Sequence, residues 1–402
     1  MARIAGGEHA RRSGKTVVVK LGTSSILSED TLQPKLKTMS SIVETVRDLR
    51  NHGHKVILVC SGAIGVGRLR MNINEQPKSL GERQALASLG QLRLVSLWDN
   101  LFNVVGINVA QILLTRTDLA DTRRYANART TLETLLSPQF DAVPIVNEND
   151  TVSVYEMRFG DNDSLSAITA GLVDADYLFL CTDVDGLYTD NPRTNPSAQL
   201  LNVVHSVDEA RHEASVQSMG SSFGTGGMQT KLVAAELATA AGVTTVILNG
   251  ACPENMARIV DAEDCEDGTA MPPHTLFLPS PERLPARKWR ILHAMHPSGS
   301  LVIDQGAYDR ISRKESGGRL LPAGVIGVQG NWDRLQAVRL KVAKRTDDGS
   351  EAIVEIGRAL VNYTSIECER IKGLQSAQIQ DALGFVDSDY ITEQIALSTT
   401  AA

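Results

Sequence analysis

Six short, largely apolar runs recur along the first 250 residues, and each is followed at once by a glycine or a polar residue. The runs are TVVVKL (16–21), VILVC (56–60), INVAQILL (107–114), AVPIV (142–146), YLFLC (177–181) and TTVIL (244–248). Nearly continuous apolar runs of this length are typical of strands buried on both faces of a sheet. Segments with helical spacing lie between them, at 36–51, 82–102, 164–173 and 228–241. The alternation predicts an α/β fold with a mostly parallel sheet sandwiched by helices.

Polar residues and glycines cluster where these strands end. In a parallel sheet the carboxyl ends of the strands meet at one edge, and ligands bind beyond that edge. The residues that follow the strands are Gly22-Thr23-Ser24, Ser61-Gly62-Ala63, Asn147 to Asp150 and Thr182-Asp183. One such loop would mean little, because loops at strand ends are often polar. Their repetition indicates an active site at this edge.

Two segments have features of phosphate-binding sites. In VKLGTS (19–24), Lys20 comes shortly before a glycine whose neighbouring N–H groups could bind an anion, although a surface lysine at a strand end would give the same residues. In GTGGMQTK (224–231), a glycine-rich loop leads into a helix, whose N-terminal N–H groups and Lys231 favour an anion. A flexible loop that caps a helix is the alternative. Neither segment has the GxxxxGK[ST] pattern.

A third segment, GDNDS (160–164), places acids at the start of another predicted helix. A helix cap needs one of these side chains, so the second carboxylate could orient lysines or approach Mg²⁺ through water. The eight histidines lie outside all of these loops, so the sequence offers no Ser–His–Asp or Cys–His arrangement. Positioning and charge stabilisation by lysines are what phosphoryl transfer requires.

The character of the chain changes near residue 272. Prolines at 272, 273, 279, 281 and 285 are typical of a boundary, and short strand-like segments follow at 300–303, 325–328, 336–342 and 352–356. They predict a separate, small β-rich domain. Residues 281–402 contain 16 Lys/Arg and 15 Asp/Glu within a chain of net charge −7, which argues against a strongly basic nucleic-acid surface.

The five cysteines are scattered and lack CxxC spacing, so neither a disulfide framework nor a zinc site is expected. This cysteine usage suits a reducing cytoplasm. No apolar run approaches the ~20 residues that span a bilayer. Residues 1–14 are predicted to be a flexible, basic N-terminal tail, with a short mitochondrial presequence as the alternative.

Taken together, the segments resemble the amino-acid kinase family, and within it the glutamate 5-kinases. The matching stretches are VVVKLGTSS (17–25), VILVCSGAIGVG (56–67), ASLGQLRL (87–94), VPIVNENDTV (143–152), GDNDSLSA (160–167), TDVDGLYTDNPR (182–193) and GTGGMQTK (224–231). LVIDQGA (301–307) and LLPAGVIGV (320–328) resemble the PUA domain that many of these kinases have. The resemblance implies an amino-acid kinase domain at 15–280 and a PUA-like domain at 290–395.

The resemblance also implies a role for individual residues. Lys20 and Lys231 would hold the transferring phosphoryl group, with Asp163 orienting both. The implied glutamate-binding residues are Ser61, Gly62, Ala63, Asn147, Asp150, Asp161 and Asn162. The implied ATP-binding residues are Lys20, Gly22, Thr182, Asp183, Thr225, Gly226, Gly227, Met228, Gln229, Thr230 and Lys231. Mg²⁺ would be held by the ATP phosphates, without a direct protein ligand.

The implied reaction is ATP-dependent phosphorylation of the side-chain carboxylate of L-glutamate to L-glutamyl 5-phosphate, the first step of proline biosynthesis. The resemblance further implies a homo-oligomer (dimer or tetramer), inhibition by proline, and a separate glutamyl phosphate reductase as functional partner. Two alternatives stay open: a kinase for another small acid, and an RNA-binding PUA protein built on an inactive kinase fold.

Overall fold

The computed structural model describes residues 14–115, 118–119, 121–153, 162–213, 227–262, 271–281, 283–313, 318–345 and 351–398. Residues 1–13 of the predicted tail lie outside this set. The chain divides into two compact units. The first ends at Ser280, and the second contains the chain from Pro281 onward, together with Leu114–Thr131 and the segment that begins at Val152. Among the described residues, no helix is long and apolar enough to cross a bilayer.

A large mixed sheet is the centre of the first unit. Its strands are β1 (Thr16–Leu21), β2 (Lys55–Cys60), β3 (Val109–Leu114), β4 (Val143–Glu148), β5 (Tyr177–Thr182), β6 (Val203–Val204), β7 (Thr244–Asn249) and β8 (Thr275–Phe277). Their order is β3-β4-β2-β1-β5-β7-β8-β6. The pairings from β4 through β7 are parallel, whereas β8 is antiparallel to β7. The predicted mostly parallel α/β fold is therefore confirmed.

The α-helices before Pro281 alternate with these strands. They are α1 (Thr23–Ile26), α2 (Leu36–Asn51), α3 (Ala63–Met71), α4 (Leu80–Val104), α5 (Thr122–Leu135), α6 (Asn162–Leu172), α7 (Val207–Glu213), α8 (Met228–Ala240) and α9 (Asn255–Ala262). All six predicted strands and all four predicted helices are present, with bounds that differ by a few residues. The prediction missed β6 and β8, which are only two and three residues long, and also missed the helices α1, α3, α5, α7 and α9.

The start of α4 shows how local sequence sets an element boundary. Ser79 accepts a hydrogen bond from the backbone N–H of Glu82 (3.2 Å), and the Glu82 side chain accepts one from the backbone N–H of Ser79 (3.1 Å). This capping box satisfies two N–H groups that the helix would otherwise leave unpaired. The helix therefore begins at Leu80, two residues before the predicted position.

Helices α3 and α4 approach each other closely at glycines. Gly62, which precedes α3, has a φ of 107°, a conformation that residues with a Cβ rarely adopt. At Gly90 of α4, an added Cβ would lie 1.7 Å from the backbone oxygen of Ala63. The lack of a side chain at Gly90 thus lets α4 lie against the first turn of α3, next to the carboxyl end of β2.

The second unit contains a smaller, antiparallel-rich sheet. Its strands are β9 (Gly299–Ile303), β10 (Val325–Gly330), β11 (Ala337–Arg345), β12 (Glu351–Leu360) and β13 (Gln394–Leu397), in the order β10-β9-β11-β12-β13. Only the β9–β11 pairing among these is parallel. Its α-helices after Pro281 are α10 (Ala286–Trp289), α11 (Gln305–Ile311), α12 (Ser365–Ile371) and α13 (Ile379–Leu383), and residues Arg290–Ala294 form a π-helix. The predicted small β-rich region is confirmed.

Two buried aromatic side chains fix the loops of the second unit. The Trp332 indole N–H donates to the backbone oxygen of Tyr363 (3.1 Å). The Tyr363 hydroxyl donates to the backbone oxygen of Ser388 (2.5 Å) and accepts from the N–H of Ser388 (3.0 Å). Because the polar atoms of both rings have partners, the rings can be buried without loss of a hydrogen bond.

The close approach of α3 and α4 gives the first testable prediction. Gly90→Ala should lower the free energy of unfolding by about 1–3 kcal/mol, since the new methyl group must displace the Ala63 backbone. Gly81→Ala is the matched control in the same helix, where an added Cβ meets nothing within 4 Å. It should be neutral or stabilise by up to about 1 kcal/mol, the usual helix preference for alanine. Urea denaturation measures both, and equal stability of the two variants would contradict the packing argument.

Candidate active site

Two lysines and one aspartate meet at the carboxyl edge of the large sheet. Lys20 lies near the end of β1, Asp163 in the first turn of α6 and Lys231 in the first turn of α8. Lys20 Nζ is 2.5 Å from Asp163 Oδ1, and Lys231 Nζ is 3.4 Å from Asp163 Oδ2. Asp163 is 0% exposed, Lys20 4% and Lys231 6%. We call these residues the lysine–aspartate cluster.

The charge state of Asp163 follows from these contacts. Burial raises the pKa of the Asp163 carboxyl, but the Lys20 and Lys231 ammonium groups outweigh it, together with hydrogen bonds from Lys20 and Thr230. The result is a pKa lowered to about 2. Thr230 Oγ1 lies 2.7 Å from Asp163 Oδ2. Asp163 is therefore a carboxylate at neutral pH, with both oxygens directed at groups of the protein.

A chain of side-chain hydrogen bonds begins at the residue before Asp163. Asn162 Nδ2 donates to Ser61 Oγ (2.8 Å) and to Asn147 Oδ1 (2.9 Å). Asn147 Nδ2 in turn donates to Gln91 Oε1 (2.8 Å). We call Ser61, Asn162, Asn147 and Gln91 the amide chain. It joins the ends of β2 and β4 to helices α6 and α4.

Asn162 and Asp163, the first two residues of α6, thus contact two different groups of side chains. Asn162 reaches the amide chain, and Asp163 reaches the two lysines. Because the carboxyl ends of β1, β2 and β4 lie along one edge, both sets of side chains converge there. The arrangement places hydroxyl and amide groups beside two ammonium groups, which are suited to phosphate.

A cavity of about 310 Å³ opens beside the amide chain. Gln91 and Asp150 contribute polar groups to its wall, and Ala63, Ala87 and Leu92 contribute apolar ones. Its polar and charged groups suit a small polar molecule. Asp150 and Ala63, both predicted substrate-binding residues, therefore line one cavity with Gln91. Ser61 and Gly62 immediately precede Ala63.

The predicted phosphate-binding loop is only partly within the described residues. Gly227 precedes α8 in an extended conformation, Met228 is buried and Gln229 is exposed. The first turn of α8 places Thr230 and Lys231 at Asp163. Thr225 and Gly226, as well as Asp161, lie outside the described residues. Gly22 lies close to the Lys20 ammonium group, since a Cβ at Gly22 would be 3.5 Å from Nζ.

The loop after β5 holds the other predicted nucleotide-binding residues. Thr182 Oγ1 donates to Asp183 Oδ1 (3.2 Å), and Arg193 Nη2 lies 2.6 Å from Asp183 Oδ2. Burial raises the pKa of Asp183, but the Arg193 charge and several hydrogen bonds hold it below its usual value. Asn249, at the end of β7, donates to Asp185 in the same loop (3.0 Å). The loop is thereby attached to the neighbouring strand.

Two cysteines flank the end of β1. Cys60 and Cys181 are both register partners of Leu21, one on each neighbouring strand. Burial raises the pKa of each thiol to about 12, although hydrogen bonding or nearby lysines act in the opposite direction. The indole N–H of Trp98 donates to Cys60 Sγ (3.3 Å). Both cysteines are buried core residues.

Gln91 and Arg193 were absent from the predicted site. Both lie in stretches that resemble the amino-acid kinase family, Gln91 in ASLGQLRL and Arg193 in TDVDGLYTDNPR. Gln91 follows Gly90, the residue at which α4 meets α3, but this contact is tertiary and leaves no local signal in the sequence. The Asp183–Arg193 pair has a separation of ten residues in an irregular loop, which gives no periodic signal.

A group of polar side chains at the opposite edge of the sheet, before β2, is not part of this site. Among the described residues, His52, His54 and Asp261 form the one cluster with metal-ligand spacing. His54 Nδ1 accepts from the Lys15 backbone N–H (3.1 Å), so the ring proton is on Nε2, which lies 3.0 Å from Asp261 Oδ1. A metal ion would need the lone pair on that nitrogen. The geometry is that of a hydrogen-bonded cluster in which His54 joins the Lys15 backbone to Asp261.

Comparison with known proteins assigns the chain to a family. Residues 15–249 match the amino acid kinase family, and residues 299–383 match the PUA domain. The chain belongs to the amino acid kinase family. The resemblance found in the sequence is therefore confirmed.

Curated relatives of this amino acid kinase align over almost the whole chain. A probable glutamate 5-kinase of Schizosaccharomyces pombe is 47% identical over 380 residues, which cover 94% of this chain and 91% of that protein. An uncharacterized protein of Saccharomyces cerevisiae is 43% identical over 412 residues, 94% of this chain and 97% of that protein. A glutamate 5-kinase of Rippkaea orientalis is 42% identical over 384 residues, 96% of this chain and 99% of that protein.

The lysine–aspartate cluster predicts how stability depends on pH. The pKa of Asp163 is about 2 when folded and about 3.9 when unfolded. Its contribution of about 2–3 kcal/mol is therefore present above about pH 4 and lost as the pH falls towards about 2. Asp163→Asn should unfold more easily at pH 7, and its deficit relative to the unchanged chain should shrink below pH 4. Urea denaturation between pH 7 and pH 3 measures this, and a deficit that stays constant over this range would contradict it.

Proposed function

We propose that this chain is an ATP-dependent glutamate 5-kinase. It transfers the γ-phosphoryl group of ATP to the side-chain carboxylate of L-glutamate, and the products are ADP and L-glutamyl 5-phosphate. The proposal rests on one observation above all: Asn162 and Asp163, adjacent at the start of α6, join the amide chain to the lysine–aspartate cluster. The names of the relatives support glutamate as the acceptor.

The amide chain and the cavity would bind glutamate. Both hydrogens of Asn162 Nδ2 are directed to Ser61 and Asn147, so the Ser61 hydroxyl can donate its own hydrogen to a substrate carboxylate. The Asp150 carboxylate in the cavity wall is suited to the substrate ammonium group. Gly62 and Ala63, at the start of α3, complete the region around the reacting carboxylate.

The two lysines would stabilise the transferring phosphoryl group. A carboxylate oxygen of glutamate attacks the γ-phosphorus, and the bond from that phosphorus to the bridging oxygen of ADP breaks. The attacking group is ionised at neutral pH, so no general base is needed. Two anions must nevertheless approach each other, and preorganised ammonium groups offset that repulsion. Asp163 keeps Lys20 and Lys231 in position.

ATP would lie across the ends of β1, β5 and α8. We propose that Gly22, Thr182, Asp183 and the Thr225–Lys231 segment contact the nucleotide. The N-terminus of α8 offers backbone N–H groups and a positive dipole end to the phosphates. Arg193 holds Asp183 in place and so positions the loop after β5.

We propose that Mg²⁺ enters as part of the Mg·ATP substrate. Asp163 Oδ1 contacts Lys20, and Asp163 Oδ2 contacts Lys231 and Thr230. A metal ion bound directly to this carboxylate would be repelled by the two ammonium groups beside it. The phosphate oxygens are therefore the expected ligands, where the ion neutralises negative charge that develops during transfer.

The remaining proposals concern the wider context of the reaction. Residues 15–280 would form the kinase domain and 290–395 the PUA-like domain. We further propose a cytoplasmic homo-oligomer, a dimer or tetramer, that proline inhibits at the glutamate site. The acyl phosphate product is reactive towards water, so a separate glutamyl phosphate reductase must consume it promptly.

Trapping the acyl phosphate tests the proposed reaction. The purified chain is mixed with Mg·ATP, hydroxylamine and either glutamate, aspartate or N-acetylglutamate. Hydroxylamine displaces phosphate from the acyl carbon, and the hydroxamate product is measured by its colour with iron. We expect product from glutamate alone. If the folded chain gives no hydroxamate with any acid, the kinase proposal is wrong, and binding of RNA in low salt becomes the next measurement.

Removal of one lysine ammonium group should reduce turnover. Lys231→Met keeps most of the aliphatic side chain and removes the charge, so kcat should fall by about 10²–10³, as for loss of one preorganised donor. Lys37→Ala, an exposed lysine of α2, is the matched control and should leave kcat unchanged. Thermal unfolding shows whether the Lys231→Met variant is folded. A folded variant with unchanged kcat would contradict the role of Lys231.

A further inference from the structure

We infer that Gln91 binds the α-carboxylate of the acceptor through its amide NH₂ group and is a specificity-determining residue of the site. This assignment rests on the proposed function and extends it to a residue outside the predicted site. It follows from the direction in which the hydrogen bonds of the amide chain run. The direction is fixed by backbone groups, whose roles as donor or acceptor are not interchangeable.

The orientation of Asn162 is set by a carbonyl. Asn162 Nδ2 lies 3.4 Å from the backbone oxygen of Cys60, as well as 2.8 Å from Ser61 Oγ. A carbonyl oxygen can only accept a hydrogen bond, so the atom that faces it must be the nitrogen. Asn162 Nδ2 therefore donates its two hydrogens to the nearer acceptors, Ser61 Oγ and Asn147, and Asn147 must present an oxygen to it.

The orientation of Asn147 is set independently. The backbone N–H of Glu148 donates to Asn147 Oδ1 (2.9 Å). A backbone N–H can only donate, so this atom must be the oxygen, in agreement with the contact from Asn162. Asn147 Nδ2 is then the atom that faces Gln91, and it can only donate.

Gln91 must consequently present its oxygen to Asn147. The other polar group of the Gln91 side-chain amide is then the NH₂ group, which has two hydrogens to donate and does not face Asn147. Gln91 also lines the 310 Å³ cavity. The amide chain therefore offers hydrogen-bond donors at both ends, the Ser61 hydroxyl at one and the Gln91 NH₂ group at the other.

A substrate with two carboxylates is complementary to this pattern. The Ser61 end adjoins Asn162 and Asp163, and through Asp163 the two lysines, so the reacting carboxylate belongs there. The second carboxylate belongs at Gln91, and Asp150 in the same cavity wall is suited to the ammonium group on the same carbon. A site of this design discriminates against acceptors that lack the second carboxylate, because Gln91 would then lose its acceptor.

Replacing Gln91 with glutamate tests the assignment. Gln91→Glu keeps an oxygen that accepts from Asn147, and puts a negatively charged oxygen where the NH₂ group was. For L-glutamate, kcat/KM should fall about 100-fold, mostly through KM, since like charges then face each other. L-isoglutamine has an α-carboxamide in place of the α-carboxylate and can donate to the new carboxylate. The ratio of kcat/KM for glutamate to that for isoglutamine should fall at least ~10-fold.

Asn100→Asp is the matched control, because Asn100 is an exposed residue of the same helix that lies outside both the amide chain and the cavity wall. It makes the same amide-to-carboxylate change and should alter the ratio by less than about threefold, since the added charge is exposed to solvent nine residues further along the helix and is screened from the acceptor. Gln91→Met removes the donor without adding charge, and should lower the ratio about tenfold even if Gln91→Glu does not fold.

The outcomes separate the two proposals. Loss of preference for glutamate in the Gln91 variants but not in Asn100→Asp supports the assignment. An unchanged ratio in active Gln91 variants, or an equal change in Asn100→Asp, overturns it and leaves the kinase proposal intact. If the unchanged chain forms no hydroxamate from either acceptor, both proposals are wrong.

Discussion

The active-site edge depends on one buried carboxylate between two buried ammonium groups. Removing three charges from water costs several kcal/mol per ion, and only close contacts with good geometry recover it. Asp163 lies 2.5 Å from Lys20 on β1, and 3.4 Å from Lys231 and 2.7 Å from Thr230 on α8. Three elements far apart in sequence are therefore held together by a single side chain. If any member is lost, the remaining charges are left buried without their partner.

The rest of the site is arranged around that cluster by the parallel sheet. Parallel strands bring successive loops to one edge, so β1, β2, β4 and β5 each contribute side chains there without special folding of any loop. Helix α4 joins them because Gly90 lets its backbone approach Ala63. The first turn of α6 then directs Asn162 to the amide chain and Asp163 to the two lysines. Close packing of helices and strands thus fixes the distance between the amide chain and the lysine–aspartate cluster.

The sequence predicted the sheet, its strands and the location of the site edge, because continuous apolar runs and strand-end glycines are local signals. It did not predict which side chains contact each other at that edge. The contact between Asn147 and Gln91 joins residues 56 positions apart, and the Gly90–Ala63 approach depends on how two helices cross. Such pairings are set by tertiary packing, which no periodicity reports. The short strands β6 and β8 were missed because an apolar run cannot be recognised over only two or three residues.

The two thiols beside Leu21 have a consequence for redox chemistry. Cys60 and Cys181 flank the strand that carries Lys20, and burial raises the pKa of both thiols far above neutral pH, so both are protonated at pH 7. Oxidants and electrophiles react with the thiolate, so these sulfurs are protected by protonation as well as by burial. Oxidative stress should therefore leave the packing of β2 and β5 against β1 unchanged.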